Sequence, residues 1–182
     1  MIRLKTILSE VLQQEQVNSL LEKIRNKEFK RIGAGDNGVV YKINNTEYVF
    51  KITMERDEFD VASVIVGRES EFICFVPVVY VNEVDRMYIM HNAAKLPIQY
   101  KQMIDSFYSR YTKFALDMQG EVSIFDYLDA DGARETEPYL ITFLRKLEQE
   151  VIRTGISEFD LDLDFKSDNV MLFKNQLVLV DW

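Results

Sequence analysis

The sequence contains one cysteine, one histidine, three prolines and no long apolar run. The lone cysteine, Cys74, cannot form an internal disulfide, and its position in an apolar run predicts a small buried side chain in a reducing compartment. No apolar run approaches the roughly 18 residues that a membrane helix needs. The first residues also lack the hydrophobic region and cleavage site of a signal peptide. We therefore expect a cytoplasmic protein that folds without disulfides and has no membrane partner.

Positive charge is also scarce, since the 182 residues carry a net charge of −8. Binding to nucleic acid requires clustered cations that neutralise phosphates, so this balance argues against a general nucleic-acid partner. Residues 1–31 are an exception, with seven Lys and Arg against four Glu. We expect this segment to be a solvated helix face, and the alternative is that it folds back onto the acidic body. Hydrophobic residues make up 47% of the chain, which suffices for one large domain or two small lobes.

Three stretches have the apolar spacing of helices. Residues 2–26 predict one long helix or two short ones, with a break near residues 16–18. Residues 97–130 are mainly helical by pattern, and residues 138–154 predict a helix that ends at Gly155. The apolar faces of these helices are expected to form packing surface and core.

Gly33, Gly35, Gly38 and Val40 fit the pattern Gly-x-Gly-x-x-Gly-x-Val. Glycines at such positions let a backbone approach phosphate oxygens closely and present its N–H groups to them. Alternating residues on both sides predict a strand-loop-strand hairpin and not the strand-loop-helix of a dinucleotide-binding fold. An ordinary Asp-Asn-Gly hairpin turn without a ligand is the alternative.

A lysine lies among apolar residues in the next predicted strand, at Lys51, 13 residues after Gly38. A helix is predicted over residues 56–70. Glu69 shares one face of this helix with Phe59, Ala62 and Val66 and is the preferred acidic partner for Lys51. Glu71 and Glu58 are the alternatives, because an earlier helix end at Gly67 would remove Glu69 from that face. For each of these three glutamates, the alternative is an exposed carboxylate that has no contact with Lys51.

Residues 72–81 and 86–91 predict two further strands joined by a polar turn. Together with the preceding stretches they give five strands and one helix in the N-terminal part of the chain. The only histidine, His91, ends this part, and a lone histidine is a weak candidate for a catalytic base or a metal ligand.

The C-terminal stretch alternates acids with apolar residues over residues 160–164. In an extended segment these carboxylates would share one face and repel one another unless a cation or hydrogen bonds offset the repulsion. The apolar runs 170–173 and 177–180 then predict a hairpin, which would hold Asn169 and Asp181 at a fixed distance. An acidic solvated loop before a hairpin is the alternative.

A resemblance to the catalytic loop of protein kinases, Asp-Leu-Lys-x-x-Asn, is found in Asp164-Phe165-Lys166-Ser167-Asp168-Asn169 and the apolar pair Val170-Met171. Asp181-Trp182 stands where that family has Asp-Phe-Gly. The glycine pattern resembles the glycine-rich loop of kinases, and the strand that contains Lys51 resembles their Val-Ala-x-Lys strand. These elements occur in the family's order, from about Phe29 to Asp181. The resemblance implies that ATP and Mg²⁺ are the cofactors.

The resemblance also implies roles for individual residues. The catalytic residues would be Asp164, Lys166, Lys51 and Glu69, with Asp164 accepting the substrate's hydroxyl proton. The ligands of Mg²⁺ would be Asn169 and Asp181. The contacts to ATP would come from Gly33, Ala34, Gly35, Asp36, Asn37, Gly38, Val40 and Lys51, and from the hinge residues Met90, His91 and Ala93, with His91 contributing backbone atoms.

The implied fold is α+β and bilobal, with a five-stranded antiparallel N-lobe and a reduced, mainly helical C-lobe that ends at the metal-binding Asp. The implied divisions are an N-terminal helical segment at residues 1–28, the N-lobe at 29–92 and the C-lobe at 93–182. Asp162-Leu163 replaces the family's usual His-Arg, and an activation segment would have to follow Trp182, where the sequence stops.

The implied function is that of a minimal serine/threonine protein kinase that phosphorylates a host or cellular protein. The chain looks most similar to short kinases encoded by phages, which would work in the host cytoplasm. The first alternative is a weakly catalytic nucleotide-binding pseudokinase that binds and inhibits a partner protein. A second alternative is the N-terminal piece of a longer kinase, and the oligomeric state is open between monomer and homodimer.

Overall fold

The computed structural model describes residues 2–35, 37–118, 122–132, 134, 136–155 and 165–181. The residues Asp36 and Asp164, for which roles were predicted, lie outside these described residues, as do Trp182 and the acidic face over residues 160–164.

A five-stranded antiparallel sheet forms the N-terminal half of the chain. Its strands are β1 (Phe29–Gly35), β2 (Gly38–Ile43), β3 (Tyr48–Thr53), β4 (Val78–Asn82) and β5 (Met87–His91). Their order in the sheet is β1-β2-β3-β5-β4. Because the strands are rich in β-branched and aromatic residues, they suit a pleated surface with two packed faces. The predicted five-stranded antiparallel sheet is confirmed.

Residues 72–77 were predicted to belong to a strand of this sheet, and that prediction is wrong. Strand β4 begins only at Val78, and Phe75 instead forms a parallel bridge with Leu179 near the C-terminus. Apolar residues in a short run are buried in either arrangement, so composition alone does not distinguish the two.

Two helices flank the sheet. Helix α1 (Ile2–Arg25) is continuous, which settles the open choice between one helix and two. Its buried Leu20 packs in a cluster with residues of the sheet such as Phe50 and Ile89. Helix α2 (Arg56–Ile65) is shorter than the predicted 56–70, because Val66 leaves the helical region and Gly67 follows with φ +70°.

Helices and one hairpin make up the C-terminal half. They are α3 (Ile98–Met118), α4 (Ile124–Tyr127), a π-helical turn (Leu128–Gly132), α5 (Pro138–Thr154), β6 (Val170–Phe173) and β7 (Gln176–Leu179). Helix α5 begins with a proline in its first turn and ends at Gly155 with φ +70°, as the sequence predicts. The hairpin turn has positive φ at Lys174 and Asn175, which matches the right-handed twist of the strands.

One hydrophobic core joins the two halves. It contains Val49 of β3, Phe59 of α2, Phe107 of α3, Leu144 of α5 and Val178 of β7, all buried. The α+β class is confirmed, and the division at residues 28 and 92 remains a prediction. Within the described ranges, no helix is both long enough and apolar enough to cross a membrane.

Candidate active site

Lys51 lies at the centre of the site. Strand β3 carries it, and only 4% of its surface is exposed. Its Nζ lies 2.6 Å from Oε1 of Glu58 and 2.6 Å from Oδ1 of Asp181. A buried ammonium requires such partners, because its desolvation would otherwise cost several kcal/mol. The two carboxylates come from helix α2 and from the segment after β7, and Asp181 is 130 positions from Lys51 in the sequence.

Glu58 occupies the first turn of α2 and is almost completely buried. Besides Lys51, its carboxylate contacts two hydroxyl groups. Thr53 Oγ1 donates to Oε2 at 2.7 Å, and the hydroxyl of Tyr88 donates to Oε1. Burial raises the pKa of Tyr88 well above its ordinary value, so the phenol stays protonated and remains a donor.

The predicted pairing of Lys51 with Glu69 is wrong. Helix α2 ends at Ile65, the chain turns at Gly67, and Glu69 is exposed beyond that turn. Glu71, one of the alternatives, pairs with Arg68 at 2.7 Å. Glu58, the other alternative, is the partner in the structure. The helical spacing that favoured Glu69 ends at Ile65, because Val66 no longer has helical dihedral angles.

The glycine pattern lies on β1, the following turn and β2, which confirms the predicted strand-loop-strand arrangement. An added Cβ at Gly38 would lie 2.4 Å from the carbonyl oxygen of Ile52, so β3 approaches too closely for any side chain there. An added Cβ at Gly35 would meet nothing within 4 Å. The backbone of β3 thus explains Gly38, while packing does not explain Gly35.

Asn169 and Asp181 lie at the open end of the β6–β7 hairpin. The backbone N–H of Val180 donates to the carbonyl of Asn169 at 3.0 Å, which places Asn169 across from the residue before Asp181. The side chain of Asp181 is 43% exposed. Lys101 of α3 holds the neighbouring Asp168 at 2.7 Å and lowers the pKa of that carboxyl.

Lys166, which was predicted to be catalytic, is exposed on the loop before the hairpin. Its ammonium lies 5.8 Å from the ring centre of Tyr108 on α3, at the limit of a cation–π contact. Asp164, the predicted base, is outside the described residues, so the distance between it and Lys166 stays open.

A cleft of about 200 Å³ connects these groups. Its apolar lining includes Val40, Val49, Met90, Ala93 and Met171, and its charged lining includes Lys51, Asp168 and Asp181. Of the predicted metal ligands, Asp181 lines the cleft, whereas Asn169 is not among the described side chains that do so. The lining of the cleft therefore combines apolar residues of the sheet and of β6 with charged groups from β3, the loop before β6 and the segment after β7.

The predicted hinge residues lie at the end of strand β5, with Met90 and His91 in the strand and Ala93 just after it. The backbone N–H groups of Asn92 and Ala94 donate to Glu47 and Leu172 at 2.8 Å. Within the described part of the chain, no backbone acceptor is found for the N–H of Ala93, which lines the cleft. The N–H of His91 donates to the carbonyl of Pro77.

The His91 ring packs between Tyr48 and Phe173, with centroid distances of 4.5 and 5.0 Å. Burial lowers the pKa of His91, so its imidazole is neutral at pH 7. The ring is therefore part of the packing beside the cleft, and the predicted role of His91 through its backbone atoms remains a prediction.

A metal at this site would have few protein ligands. Among the residues that the structure describes, no group of three or more His, Cys, Asp or Glu is placed to hold a metal ion. Mg²⁺ commonly binds through one or two carboxylates together with waters and substrate phosphates, and the Asp181 carboxylate in the cleft fits this ligand set. A metal contact from the Asn169 amide remains a prediction.

Sequence reasoning missed Thr53 and Tyr88. Thr53 lies two residues after Lys51 and so shares a face of β3 with it, a signal that was available in the sequence. Tyr88 pairs with Lys51 across β3 and β5, and that register follows only from the order of strands in the sheet.

Comparisons with known proteins add one similarity. No family model matches the chain, and no curated protein matches it. Among solved structures, the chain is similar to the ternary complex of APH(2")-IIa with streptomycin and ATP, at 21% identity and a TM-score of 0.32. The similarity covers 90% of this chain and 69% of that one. At such an identity and TM-score it decides neither fold nor function.

Proposed function

We propose that the chain is a phosphotransferase of the protein-kinase-like superfamily that uses ATP and Mg²⁺. The observation that carries this proposal is the buried ammonium of Lys51, held at 2.6 Å by both Glu58 and Asp181 in a cleft that Lys51 and Asp181 line. A lysine fixed in this way supplies a positive charge of defined position, which suits the phosphates of a nucleotide.

The apolar and charged residues that line the cleft match the two parts of ATP. The wall formed by Val40, Val49 and Met171 offers apolar contacts to a flat base, and the N–H of Ala93 offers a donor to its edge. An added Cβ at Gly35 would meet no atom within 4 Å, so the space beside this backbone is open, as a close approach by phosphate oxygens requires.

Mg²⁺ would be held by Asn169 and Asp181. When bound, this ion would neutralise charge on the ATP phosphates. The chain's own contribution is to fix the position of Asp181, through Lys51 on one side and through the hairpin on the other. Lys51 thereby offsets a carboxylate charge that would otherwise lie unpaired beside the phosphates.

The acceptor in this proposal is a serine or threonine hydroxyl of a protein, and Asp164 would orient it. This part rests on the resemblance of residues 164–171 to a kinase catalytic loop. Lys166 would lie beside the transferred phosphoryl group, where its positive charge would offset developing negative charge. A minimal kinase of the type encoded by phages fits this assignment.

The test is transfer of labelled γ-phosphate from Mg-ATP to proteins of a cell lysate. The wild type is compared with Lys51→Met and with Lys30→Met, which removes an exposed strand lysine as the matched control. We expect labelled serine or threonine with the wild type and Lys30→Met, and none with Lys51→Met. Nucleotide binding without transfer would favour the pseudokinase alternative, and label only in small molecules would overturn the choice of a protein acceptor.

A further inference from the structure

The carboxylate of Glu58 is held from three sides in a buried network. Lys51 and Tyr88 contact its Oε1, and Thr53 donates to its Oε2 at 2.7 Å. The exposed fractions of Glu58, Thr53 and Tyr88 are 2%, 3% and 0%. Water therefore has little access to this carboxylate, and its orientation is set by protein donors.

Thr53 has a single hydroxyl proton and two acceptors within reach. Its Oγ1 lies 3.1 Å from the carbonyl of Asn37 and 2.7 Å from Glu58. The Asn37 carbonyl already accepts the backbone N–H of Met54 at 2.9 Å, and a carboxylate is the stronger acceptor, so the proton goes to Glu58. Thr53 also accepts the N–H of Glu55 at 3.1 Å.

These contacts make Thr53 a junction of three elements. It contacts Asn37 in the turn of the glycine pattern, Glu55, which immediately precedes α2, and Glu58 in the first turn of α2. Tyr88 secures the same carboxylate from β5, directly across from Lys51. A rotation of the Glu58 carboxylate away from Lys51 would break at least one of these hydroxyl contacts.

We infer that Thr53 and Tyr88 are positioning residues that hold Glu58 against Lys51 and so fix the ammonium for phosphoryl transfer. This inference rests on the proposed function. If Glu58 loses its hydroxyl donors, its carboxylate can rotate, and the position of the Lys51 ammonium that it contacts is no longer fixed. Transition-state contacts depend on such orientation more steeply than ground-state binding does.

The test uses Thr53→Val, which removes the hydroxyl and keeps the branched shape, and Thr53→Ser, which keeps the hydroxyl. Tyr88→Phe removes the second donor without changing the ring. Thr142→Val on α5 is the control, since its hydroxyl donates to the Pro138 carbonyl at 2.8 Å outside the site. The measurements are kcat, the Kd of Mg-ATP by competition with a fluorescent nucleotide, and unfolding in urea without ligand.

We expect kcat to fall about tenfold or more in Thr53→Val and in Tyr88→Phe, because each loses a hydrogen bond to a charged group. The Kd of Mg-ATP should rise by less than about threefold in both. Thr53→Ser should recover most of the kcat that Thr53→Val loses. Thr142→Val should match the wild type in kcat.

Three results would overturn the inference. The first is wild-type kcat in folded Thr53→Val and Tyr88→Phe, even with a lower unfolding free energy, since that pattern describes a purely structural role. The second is a kcat in Thr53→Ser as low as in Thr53→Val. The third is a wild type that neither binds nor transfers phosphate, which removes the proposed function itself. If Thr53→Val does not fold, Tyr88→Phe decides.

Discussion

Among single residues, the two glycines that flank the β1–β2 turn have different reasons to be glycine. At Gly38 a side chain would collide with the backbone of β3, whereas at Gly35 it would meet no atom within 4 Å. We predict that Gly38→Ala lowers the free energy of unfolding by about 1–3 kcal/mol, because β2 and β3 must separate. Unfolding in urea measures this change.

Gly35→Ala is the matched substitution on the other side of the turn. We predict a change in unfolding free energy below about 0.5 kcal/mol. The Kd of Mg-ATP should nevertheless rise about tenfold, because the methyl group occupies space that phosphate oxygens would use. Unchanged affinity in Gly35→Ala would show that the phosphates do not approach this turn.

His91, the only histidine in the sequence, gives stability a dependence on pH. Burial lowers its pKa below the ordinary value of 6.5, so the unfolded chain binds a proton before the folded one does. We predict that stability falls as the pH drops below 6.5 and that this slope is reduced in His91→Phe, which retains a ring between Tyr48 and Phe173. The raised pKa of Glu150 makes stability rise as the pH falls, and it does so in both proteins. The difference in pH dependence between the wild type and His91→Phe therefore reports the contribution of His91.

The measurement is the free energy of unfolding in urea at several pH values for both proteins. A wild type and His91→Phe with parallel pH dependence would contradict the assignment. The substitution replaces the ring of His91 and leaves its backbone unchanged, so the change in pH dependence does not require a loss of ATP affinity.

At the level of elements, helix α5 supports the hairpin through one buried carboxylate. Glu150 accepts the backbone N–H groups of Ile73 and Cys74 at 3.1 and 2.8 Å. The carbonyl of Cys74 in turn accepts the N–H of Leu179 at 2.8 Å, two residues before Asp181. Glu150 thereby anchors the segment against which β7 lies.

We predict that Glu150→Gln lowers the free energy of unfolding by about 1–3 kcal/mol. The amide offers one acceptor oxygen where the carboxylate offers two, so one buried N–H loses its partner. Glu148→Gln on the same helix is the control, since Glu148 pairs with Arg145 near the surface and should change stability by less than about 1 kcal/mol. Equal effects of both substitutions in urea unfolding would contradict the anchoring role.

Elements with a clear period or clear end signals were predictable from the sequence. Helix α5 lies between Pro138 and Gly155, and the hairpin at residues 170–179 flanks a turn with positive φ, so local chemistry sets their limits. The end of α2 also has a local signal in Gly67, which supports one of the two interpretations of the sequence. The course of residues 72–77 was not predictable in this way, because it depends on long-range contacts such as the bridge between Phe75 and Leu179.

In the whole molecule, the site forms where segments that are distant in sequence pack against each other. The sequence identified Lys51 and Asp181 separately by resemblance, but their direct contact at 2.6 Å follows from packing of the hairpin under the sheet through one shared core. Glu58 remained one of three candidates, because choosing it required the end of α2 and the position of Tyr88. The kinds of residue in the site were thus predictable from the sequence, whereas the distances and contacts between them were not.

Lys51 also contributes to the stability of the whole molecule. Replacing it with methionine leaves Glu58 buried without its cation, and breaking a buried pair in this way costs about 3 kcal/mol. We therefore predict that Lys51→Met folds with a lower unfolding free energy than the wild type, which urea unfolding measures. An unchanged stability would show that the pair in the structure is not maintained in solution.

The most direct test of the central claim is the affinity for Mg-ATP, measured by calorimetry near pH 7 at a temperature where every variant is folded. We predict saturable binding by the wild type and by Lys30→Met, and at least about a tenfold loss of affinity in Lys51→Met. Absence of binding by the wild type, or equal affinity in Lys51→Met, would contradict the assignment of this cleft to a nucleotide.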